Sequence, residues 1–457
     1  MDRIIKFADY KIFENEEQIF IYCVADNKIF EIDDRLLALL KEDGKTYGEI
    51  KNNMETLFSD SELDELIESM YELGLIEKES HDVCNHLDEA TGDISSITLL
   101  VAQDCNLRCS YCYAEEGKYN NCGKMDITTA KKCVDFLIEK SGSNKLGICF
   151  FGGEPLLNFE LIKEVVEYCH KKEEETGKKF GFSMTSNGTL INDEIEKFIL
   201  QNRINVQISI DGDKETHDAN RYYSGKIGSF DNVLKKTKSL REKGLLDARG
   251  TITTKELDLV HTYDFLTSIG FKNIALSPAF NLLLDNEYDK VADAFIKFYR
   301  NFEDRIKEKK YEEVRSNRMF MRLISDIHNS KIRKRACGAG NNLYAVGISG
   351  DIYPCQRFID TKEVKLGNVF ENDNMQKEFL QNTKIDRFKK CSSCWIRNLC
   401  VGGCINDNFA QTKDVCTPYD VQCEYNRKIV TEAIKIYLRL SEEEIDELFE
   451  EKNEQIK

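Results

Sequence analysis

The chain has 457 residues, of which 41% are hydrophobic and 10% aromatic, and its formal net charge is −17. This length predicts about two to four domains with sizeable cores. The acidic charge and the lack of a basic stripe argue against a nucleic acid partner, because phosphate binding depends on clustered Lys and Arg. The N-terminus lacks the apolar segment of a signal peptide, and no apolar run approaches the roughly 20 residues of a membrane span. We therefore expect a cytoplasmic protein without a membrane partner.

Residues 1–80 are predicted to form a separate domain. Short apolar runs predict strands at 11–13, 18–23 and 28–32, and amphipathic patterns predict helices near 34–41, 46–57 and 61–73. Three strands followed by three helices favour a winged-helix-like domain. Because the helices are acidic, a peptide partner is favoured over DNA, held by strand addition at an exposed sheet edge. A docking or purely structural domain is the alternative.

Residues 81–95 have little periodicity and are interpreted as a linker. From residue 97, short apolar runs alternate with helical patterns. The predicted strands are 97–102, 147–151, 180–185, 205–210, 250–253 and 273–276. The predicted helices are 128–140, 160–172, 193–201, 230–243 and 257–268, with another from 287. Six strand–helix units predict an α/β fold with a parallel sheet, an incomplete barrel over residues 96–310 with its active site at the C-terminal strand ends.

Three cysteines, Cys105, Cys109 and Cys112, follow directly after the first predicted barrel strand with the spacing C-x3-C-x2-C. Three thiolates can hold three irons of a [4Fe-4S] cluster and leave the fourth iron open for chemistry. The alternative is a zinc or structural cysteine site. Tetrahedral zinc needs four ligands, whereas this loop offers three, so the cluster is favoured.

Loops after the next predicted strands carry small and polar residues. Residues 152–155 read Gly-Gly-Glu-Pro, in which the glycines permit close backbone approach to a ligand and Glu154 offers a carboxylate for an ammonium group. Residues 185–189 and 209–212 follow the third and fourth strands. Each loop alone is more often an ordinary turn. Three such loops at the same sheet end as a cysteine triplet favour a bound cofactor.

These motifs together resemble the radical S-adenosylmethionine (SAM) enzymes over roughly residues 95–310. The resemblance rests on the cysteine triplet with Tyr111, on Gly-Gly-Glu-Pro, and on Ser-Ile-Asp-Gly at 209–212 followed by His217-Asp218-x2-Arg221. It implies a partial (β/α)6 barrel in which Cys105, Cys109 and Cys112 hold the cluster and SAM binds its open iron. The implied SAM contacts are Gly152, Gly153 and Glu154 at the methionine amino end, Ser209 and Asp211 at the ribose, Tyr111 and Leu276 at the adenine, and Asn187.

Eight of the 17 cysteines lie between residues 337 and 423. They follow a basic helical region, 311–336, that is predicted to bridge outward from the barrel. A predicted hairpin at 343–354 precedes Cys355, and four further cysteines have the spacing C-x2-C-x5-C-x3-C from Cys391 to Cys404. This second spacing alone would favour zinc, but beside a SAM-type barrel it favours iron–sulfur clusters.

The cysteine order resembles the SPASM extension of radical SAM peptide-modifying enzymes, which carries two auxiliary [4Fe-4S] clusters. The resemblance predicts a SPASM domain at 337–430 and a C-terminal helical region at 431–457. It assigns to auxiliary cluster II the ligands Cys391, Cys394, Cys400 and Cys423. To auxiliary cluster I it assigns only Cys337, Cys355 and Cys404. The fourth iron of cluster I is therefore open, or it is completed by Cys416 or by a non-cysteine group; an open iron would bind and deprotonate a substrate cysteine.

Gln356 follows Cys355, where anaerobic sulfatase maturases carry an aspartate as the proposed base, so sulfatase-type oxidation is disfavoured. The pattern resembles more closely the maturases that form thioether crosslinks in sactipeptides and ranthipeptides, including those acting on six-cysteine precursors. In that family a winged-helix-like N-terminal domain binds the leader of the precursor peptide, and the resemblance implies a flavodoxin- or ferredoxin-type reductant. The alternatives are carbon–carbon crosslinking or another peptide oxidation in which the auxiliary clusters only transfer electrons. A non-enzymatic electron carrier or peptide-binding scaffold is disfavoured by the cofactor-type loops.

Overall fold

The computed structural model describes residues 3–77, 93–371 and 375–450. Most of the predicted linker, residues 81–92, and the last residues of the predicted C-terminal region lie outside these ranges. The strands are β1 (Tyr10–Asn15), β2 (Gln18–Cys23), β3 (Ile29–Ile32), β4 (Ser96–Gln103), β5 (Gly123–Lys124), β6 (Lys145–Gly152), β7 (Lys179–Ser186), β8 (Asn205–Ser209), β9 (Leu246–Ile252), β10 (Ile274–Pro278), β11 (Leu343–Val346), β12 (Asp351–Tyr353) and β13 (Gly367–Asn368).

The first twelve helices are α1 (Asp34–Leu40), α2 (Tyr47–Met54), α3 (Asp60–Glu72), α4 (Ile127–Lys140), α5 (Phe159–Thr176), α6 (Asp193–Gln201), α7 (Lys214–Asn220), α8 (Phe230–Glu242), α9 (Leu259–Ser268), α10 (Tyr288–Lys307), α11 (Tyr311–Arg315) and α12 (Arg318–His328). They are followed by α13 (Gln376–Asn382), α14 (Arg397–Cys400), α15 (Ile405–Thr412), α16 (Asp420–Arg439) and α17 (Glu442–Phe449). The described helices include none that is long and apolar enough to cross a membrane.

The N-terminal part forms an antiparallel sheet in the order β1-β2-β3, which packs with α1, α2 and α3 around its own buried core. The three strands and three helices confirm the predicted element order. Helix α3 begins with a capping box, because the Ser59 side chain accepts from the Glu62 backbone N–H and the Glu62 side chain accepts from the Ser59 backbone N–H. Strands β1 and β3 are the two edges of this sheet.

Six parallel strands in the order β10-β9-β8-β7-β6-β4 confirm the predicted parallel α/β sheet. Each new strand is added on the same side of the preceding one, so right-handed crossovers place the connecting helices on one face. Alternation along β9 shows the two faces: Leu246, Ala248 and Ile252 are buried in the core, whereas Asp247, Arg249 and Thr251 are less buried and alternate with them towards the helix-free face. Ligand-binding side chains are expected on that face and at the C-terminal strand ends.

The cysteine-rich segment extends the same sheet. Strand β11 pairs in parallel with β4 and continues into antiparallel β12, which confirms the predicted hairpin. Tyr353 and Cys355 then pack in a small cluster with Leu100 and Cys112, next to the first cysteine loop. The pairing of β11 with β4 therefore joins the two cysteine-rich parts of the chain.

One helix and two boundaries differ from the predictions. Helix α7 was not predicted, because its sequence is polar and buries only His217 and Asn220. The bridging region is helical only as far as His328. Helix α16 runs without interruption through the predicted domain boundary at residue 430.

Candidate active site

Cys105, Cys109 and Cys112, the first cysteine set, lie together on the loop that leaves β4. Burial, followed by the charge of Glu154, raises the pKa of Cys105 to about 12, and Cys109 and Cys112 are close enough to add to the shift. Burial likewise raises the pKa of Cys109 to about 11, against the opposing effect of Arg221. Cys105 and Cys109 are therefore protonated until a metal replaces their protons.

Hydrogen-bond donors point at the sulfurs of this set. The Leu107 backbone N–H donates to Cys105 Sγ at 3.4 Å, and the Asn187 side-chain amide lies 3.8 Å from the same sulfur. Arg221 Nη1 lies 4.0 Å from Cys109 Sγ. Donors of this kind stabilise thiolates and tune an iron–sulfur cluster.

The glycines of the second strand-end loop pack against the cysteine loop itself. A Cβ at Gly152 would lie 2.1 Å from the Ala102 carbonyl oxygen, and one at Gly153 would lie 2.3 Å from the Asp104 carbonyl oxygen. Gly117, which sequence reasoning missed, has a φ of +87°, and a Cβ there would lie 2.6 Å from the Cβ of Cys105. The expected reason for the glycine pair was close approach of a ligand, but the structure shows that they admit the protein's own backbone.

Glu154 lies fully buried beside the first cysteine set. Its carboxylate accepts from Ser186 Oγ at 2.8 Å and from the Asn187 and Leu156 backbone N–H groups at 2.7 and 3.1 Å. Burial raises its pKa to about 7, although these hydrogen bonds oppose the shift. Glu154 thus joins the second and third strand-end loops, and Asn187 continues from it towards Cys105.

Asp211 is the centre of a buried network at the end of β8. The Tyr111 hydroxyl donates to Oδ2 at 2.6 Å, and Arg221 Nε and the Thr251 backbone N–H donate to Oδ1 at 3.1 and 2.9 Å. The Arg221 guanidinium also lies 5.2 Å from the centroid of the Tyr111 ring. Tyr111, Asp211 and Arg221, which come from three separate motifs, are thus brought into direct contact.

The remaining predicted SAM contacts lie in different environments. Ser209 ends β8 and pairs in register with Arg249 of β9. Leu276 is 1% exposed and its side chain belongs to the main core, so only its backbone faces the strand end. His217 is also buried, with Nε2 2.9 Å from Ser229 Oγ, and it supports the backbone at Arg221 through Ser229.

The third cysteine set contains the four residues Cys391, Cys394, Cys400 and Cys423. They line one recess. Burial raises the pKa of Cys400 to about 12, and the charges of the other three thiols add to the shift. The Asn426 side-chain amide donates to Cys400 Sγ at 3.5 Å. The structure therefore gathers the four thiols that are predicted to bind auxiliary cluster II.

Cys337, Cys355 and Cys404 form the second cysteine set. Burial raises the pKa of Cys355 to about 12, and Cys404 and Cys337 contribute. Arg357 Nη1 lies 3.6 Å from Cys404 Sγ and 2.7 Å from Asp407 Oδ1, a partly buried ion pair that the sequence did not indicate. The Cys416 thiol instead donates to the Asn382 carbonyl at 3.1 Å.

The donor sets fit iron–sulfur clusters better than single metal ions. Within the described ranges, no three His, Cys, Asp or Glu side chains are close enough together to hold one ion. A zinc ion would need thiolates at about 2.3 Å from a single point, whereas a [4Fe-4S] cluster binds each cysteine at a different iron. Thiols in groups of three, three and four, most of them partly buried and several with N–H donors at their sulfurs, have the chemistry that such clusters need.

Tyr113 connects the first and second sets. Tyr113 is 42% exposed, but desolvation of its hydroxyl still raises its pKa to about 12, and both Cys112 and Cys355 add to the shift. The Arg357 guanidinium lies 5.5 Å from the centroid of its ring. Tyr113 is therefore close to both of the incomplete cysteine sets, and Arg357 lies beside it.

Comparison with known proteins agrees with this site. Residues 99–258 match the radical SAM superfamily. A cysteine-type anaerobic sulfatase-maturating enzyme of Clostridium novyi is 25% identical over 336 residues, covering 68% of this chain and 88% of the relative. The antilisterial bacteriocin subtilosin biosynthesis protein AlbA of Bacillus subtilis is 26% identical over 337 residues, covering 70% of each chain.

Two solved structures share the fold. The enzyme anSMEcpe with bound AdoMet has a TM-score of 0.62 and 20% identity, covering 76% of this chain and 100% of that one. SuiB of Streptococcus suis bound to the precursor peptide SuiA has a TM-score of 0.50 and 14% identity, covering 92% and 99%. The chain is therefore an enzyme with a radical SAM domain at residues 99–258, and its relatives include a sulfatase-maturating enzyme and a bacteriocin biosynthesis protein.

Proposed function

We propose that this enzyme forms Cys-to-carbon thioether crosslinks in a ribosomally synthesised precursor peptide. The observation that carries the proposal is the pair of three-cysteine sets on either side of Tyr113. Each set leaves one iron of a [4Fe-4S] cluster without a cysteine. One vacancy suits SAM, and the other suits a thiolate of the substrate.

The first cysteine set would hold the SAM-binding cluster, and the second and third sets would hold auxiliary clusters I and II. When bound, these clusters supply the electron that cleaves SAM, bind the substrate thiolate and accept the second electron of the reaction. Overall, the peptide loses one C–H hydrogen to the 5'-deoxyadenosyl radical and one thiol proton, and a C–S bond forms. Arg221, Asp211 and Tyr111 shape the SAM side, where Ser209, Asn187 and the Gly152–Glu154 loop are the other proposed contacts.

Residues around the second set also favour thioether formation. Gln356, which follows Cys355, has no carboxylate that could take a proton. The nearby Asp407 carboxylate is already held 2.7 Å from Arg357. A free carboxylate base is therefore missing from both positions, whereas metal coordination alone ionises a thiol.

The N-terminal sheet is proposed to bind the leader of the precursor peptide. Its edge strand β3 pairs only with β2 among the described residues, so its outer edge offers backbone groups to an added strand. The solved SuiB structure, which has a similar fold, contains a precursor peptide. A flavodoxin- or ferredoxin-type protein is the proposed electron donor.

The test uses anaerobically reconstituted enzyme, SAM, dithionite and the cysteine-rich peptide encoded nearest to its gene. We expect release of 5'-deoxyadenosine, loss of two hydrogens per crosslink and loss of one free thiol per crosslink. A peptide that loses two hydrogens but keeps all its thiols would instead support carbon–carbon crosslinking, with the auxiliary clusters transferring electrons only. Intact clusters without 5'-deoxyadenosine release would favour a non-enzymatic role.

A further inference from the structure

Arg249 projects from β9 onto the helix-free face of the parallel sheet. Its neighbours in the strand, Ala248 and Gly250, are buried on the opposite side. In register, Arg249 lies between Ser209 of β8 and Ala275 of β10. The guanidinium therefore points to the side of the sheet on which the SAM site is expected.

This guanidinium has no carboxylate partner among the residues that the structure describes. The strongest charges acting on it are those of Arg357, Tyr113, Arg221 and Tyr111. Burial and Arg357 lower the pKa of Arg249 below its usual value. Arg249 is nevertheless only partly buried. None of its nitrogens is a fully buried atom without a partner, so they retain access to open space.

Arg221 and Arg357, unlike Arg249, each have a carboxylate partner. Arg221 lies 3.1 Å from the Asp211 carboxylate, and Arg357 lies 2.7 Å from the Asp407 carboxylate. A partly buried charge without a counterion is costly. Three arginines with two carboxylates therefore leave one positive charge for an anion from outside the chain.

The position of Arg249 indicates which anion. Its first two electrostatic neighbours, Arg357 and Tyr113, lie beside the second cysteine set, since Arg357 lies 3.6 Å from Cys404 Sγ and Cys355 acts on Tyr113. Arg221, next to the first set, contributes less. A substrate bound between the two sets would therefore lie near Arg249. A guanidinium matches a carboxylate through two parallel N–H···O hydrogen bonds.

We propose that Arg249 binds an Asp or Glu side chain of the substrate peptide next to the crosslinked residue, and this inference rests on the proposed function. It makes the enzyme selective for precursors with an acidic residue close to the cysteine. Arg249 is a specificity-determining residue in this view. The alternative carboxylate that Arg249 could bind is that of the methionine part of SAM.

The test uses two blocked hexapeptides, acetyl-Gly-Cys-Gly-Ser-Asp-Gly-amide and the same peptide with Asn in place of Asp. Their affinities for cluster-loaded enzyme with SAM are measured by calorimetry without reductant, so no turnover is needed. For the unchanged enzyme we expect the Asp peptide to bind at least about tenfold more tightly. Arg249→Gln should abolish this preference, and Arg249→Lys should retain part of it.

Arg318→Gln is the matched control, because Arg318 is 72% exposed and lies near Asp247 of the same strand. It should leave both peptide affinities unchanged. Equal binding of the two peptides, or no binding of either, by the unchanged enzyme would overturn the proposal without any variant. A loss of SAM affinity in Arg249→Gln equal to the loss for the Asp peptide would assign the arginine to SAM instead. The binding test does not measure turnover. A carbon–carbon crosslink found in the turnover test would therefore overturn the thioether proposal and leave the binding proposal standing.

Discussion

Tyr22 of the N-terminal sheet packs edge to face against Trp395, with their ring centroids 5.9 Å apart. Phe13 contacts the same indole ring at 5.8 Å. Two residues along from Trp395, Arg397 Nη1 lies 2.7 Å from Asp9 Oδ2. Trp395 directly follows Cys394, so the proposed leader-binding domain rests on the loop of the third cysteine set. We therefore expect the loading of that set to influence how firmly this domain is held.

Trp395→Ala should release the N-terminal domain from this loop. Removing a packed indole costs about 3 kcal/mol, so we expect limited proteolysis to free the N-terminal domain at much lower protease concentration. Trp395→Phe retains part of the ring packing and should show an intermediate effect. Equal protease resistance of the alanine variant and the unchanged enzyme would show that the contact does not hold the domain.

Asp211→Asn should damage both stability and SAM cleavage. The substitution leaves the buried Arg221 guanidinium without its carboxylate, which costs about 3–5 kcal/mol for a buried ion pair. We expect a clearly lower thermal midpoint and reduced 5'-deoxyadenosine release. Asp231→Asn is the control, because Asp231 is 77% exposed.

The double variant Asp211→Asn with Arg221→Gln separates the two effects. Removing both charges should restore much of the stability, since no unpaired charge remains, but it should not restore SAM cleavage. A double variant that is no more stable than Asp211→Asn alone would contradict the ion-pair explanation.

The sequence predicted those parts of the fold that depend on local patterns. Continuous apolar runs identified β4 and β6, and the amphipathic pattern at 61–73 identified α3. Helix α7 was missed because its residues have no apolar periodicity and are held by the Asp213 cap and by buried polar contacts. Local sequence also gives no information about which strand β11 pairs with, because that contact joins distant residues.

In the site, too, the sequence predicted the features that depend on local patterns and missed those that depend on contacts between distant residues. The grouping of the cysteines followed from spacing and resemblance, but the ion pair between Arg357 and Asp407 depends on tertiary contacts. The unpaired charge of Arg249 can be recognised only when the neighbouring carboxylates are placed. Gly152 and Gly153 were identified correctly as positions that need glycine, yet sequence could not distinguish approach of a ligand from approach of the Ala102 and Asp104 backbone.

Cys416→Ala should leave auxiliary cluster I unchanged. The Cys416 thiol is bound to the Asn382 carbonyl, and the charges that shift the pKa of Cys355 include Cys404 and Cys337 but not Cys416. We expect unchanged iron content and an unchanged electron paramagnetic resonance spectrum. Cys404→Ala, the matched variant, should lose about four irons per chain. An altered cluster spectrum in Cys416→Ala would make Cys416 the fourth ligand and would remove the open iron.

His217 should make the metal-free protein sensitive to mild acid. Ser229 Oγ donates to the Arg221 carbonyl, so His217 Nε2 must carry the hydrogen that it donates to Ser229, and Nδ1 is buried without a partner. Burial lowers the pKa of His217 to about 4, from 6.5. Between these values the unfolded chain takes up a proton that the folded chain does not, so this stabilisation is present above pH 6.5 and is lost as the pH falls towards 4.

At pH 5.5 the loss is about 1 kcal/mol, because one pKa unit corresponds to about 1.4 kcal/mol. His217→Gln retains a side-chain N–H donor without titrating, so its thermal midpoint should fall less between pH 7.5 and 5.5 than that of the unchanged protein. His170→Gln is the control, because the His170 side chain is 49% exposed, and it should behave like the unchanged protein. If His217→Gln and the unchanged protein lose the same stability over this range, the acid sensitivity has another source.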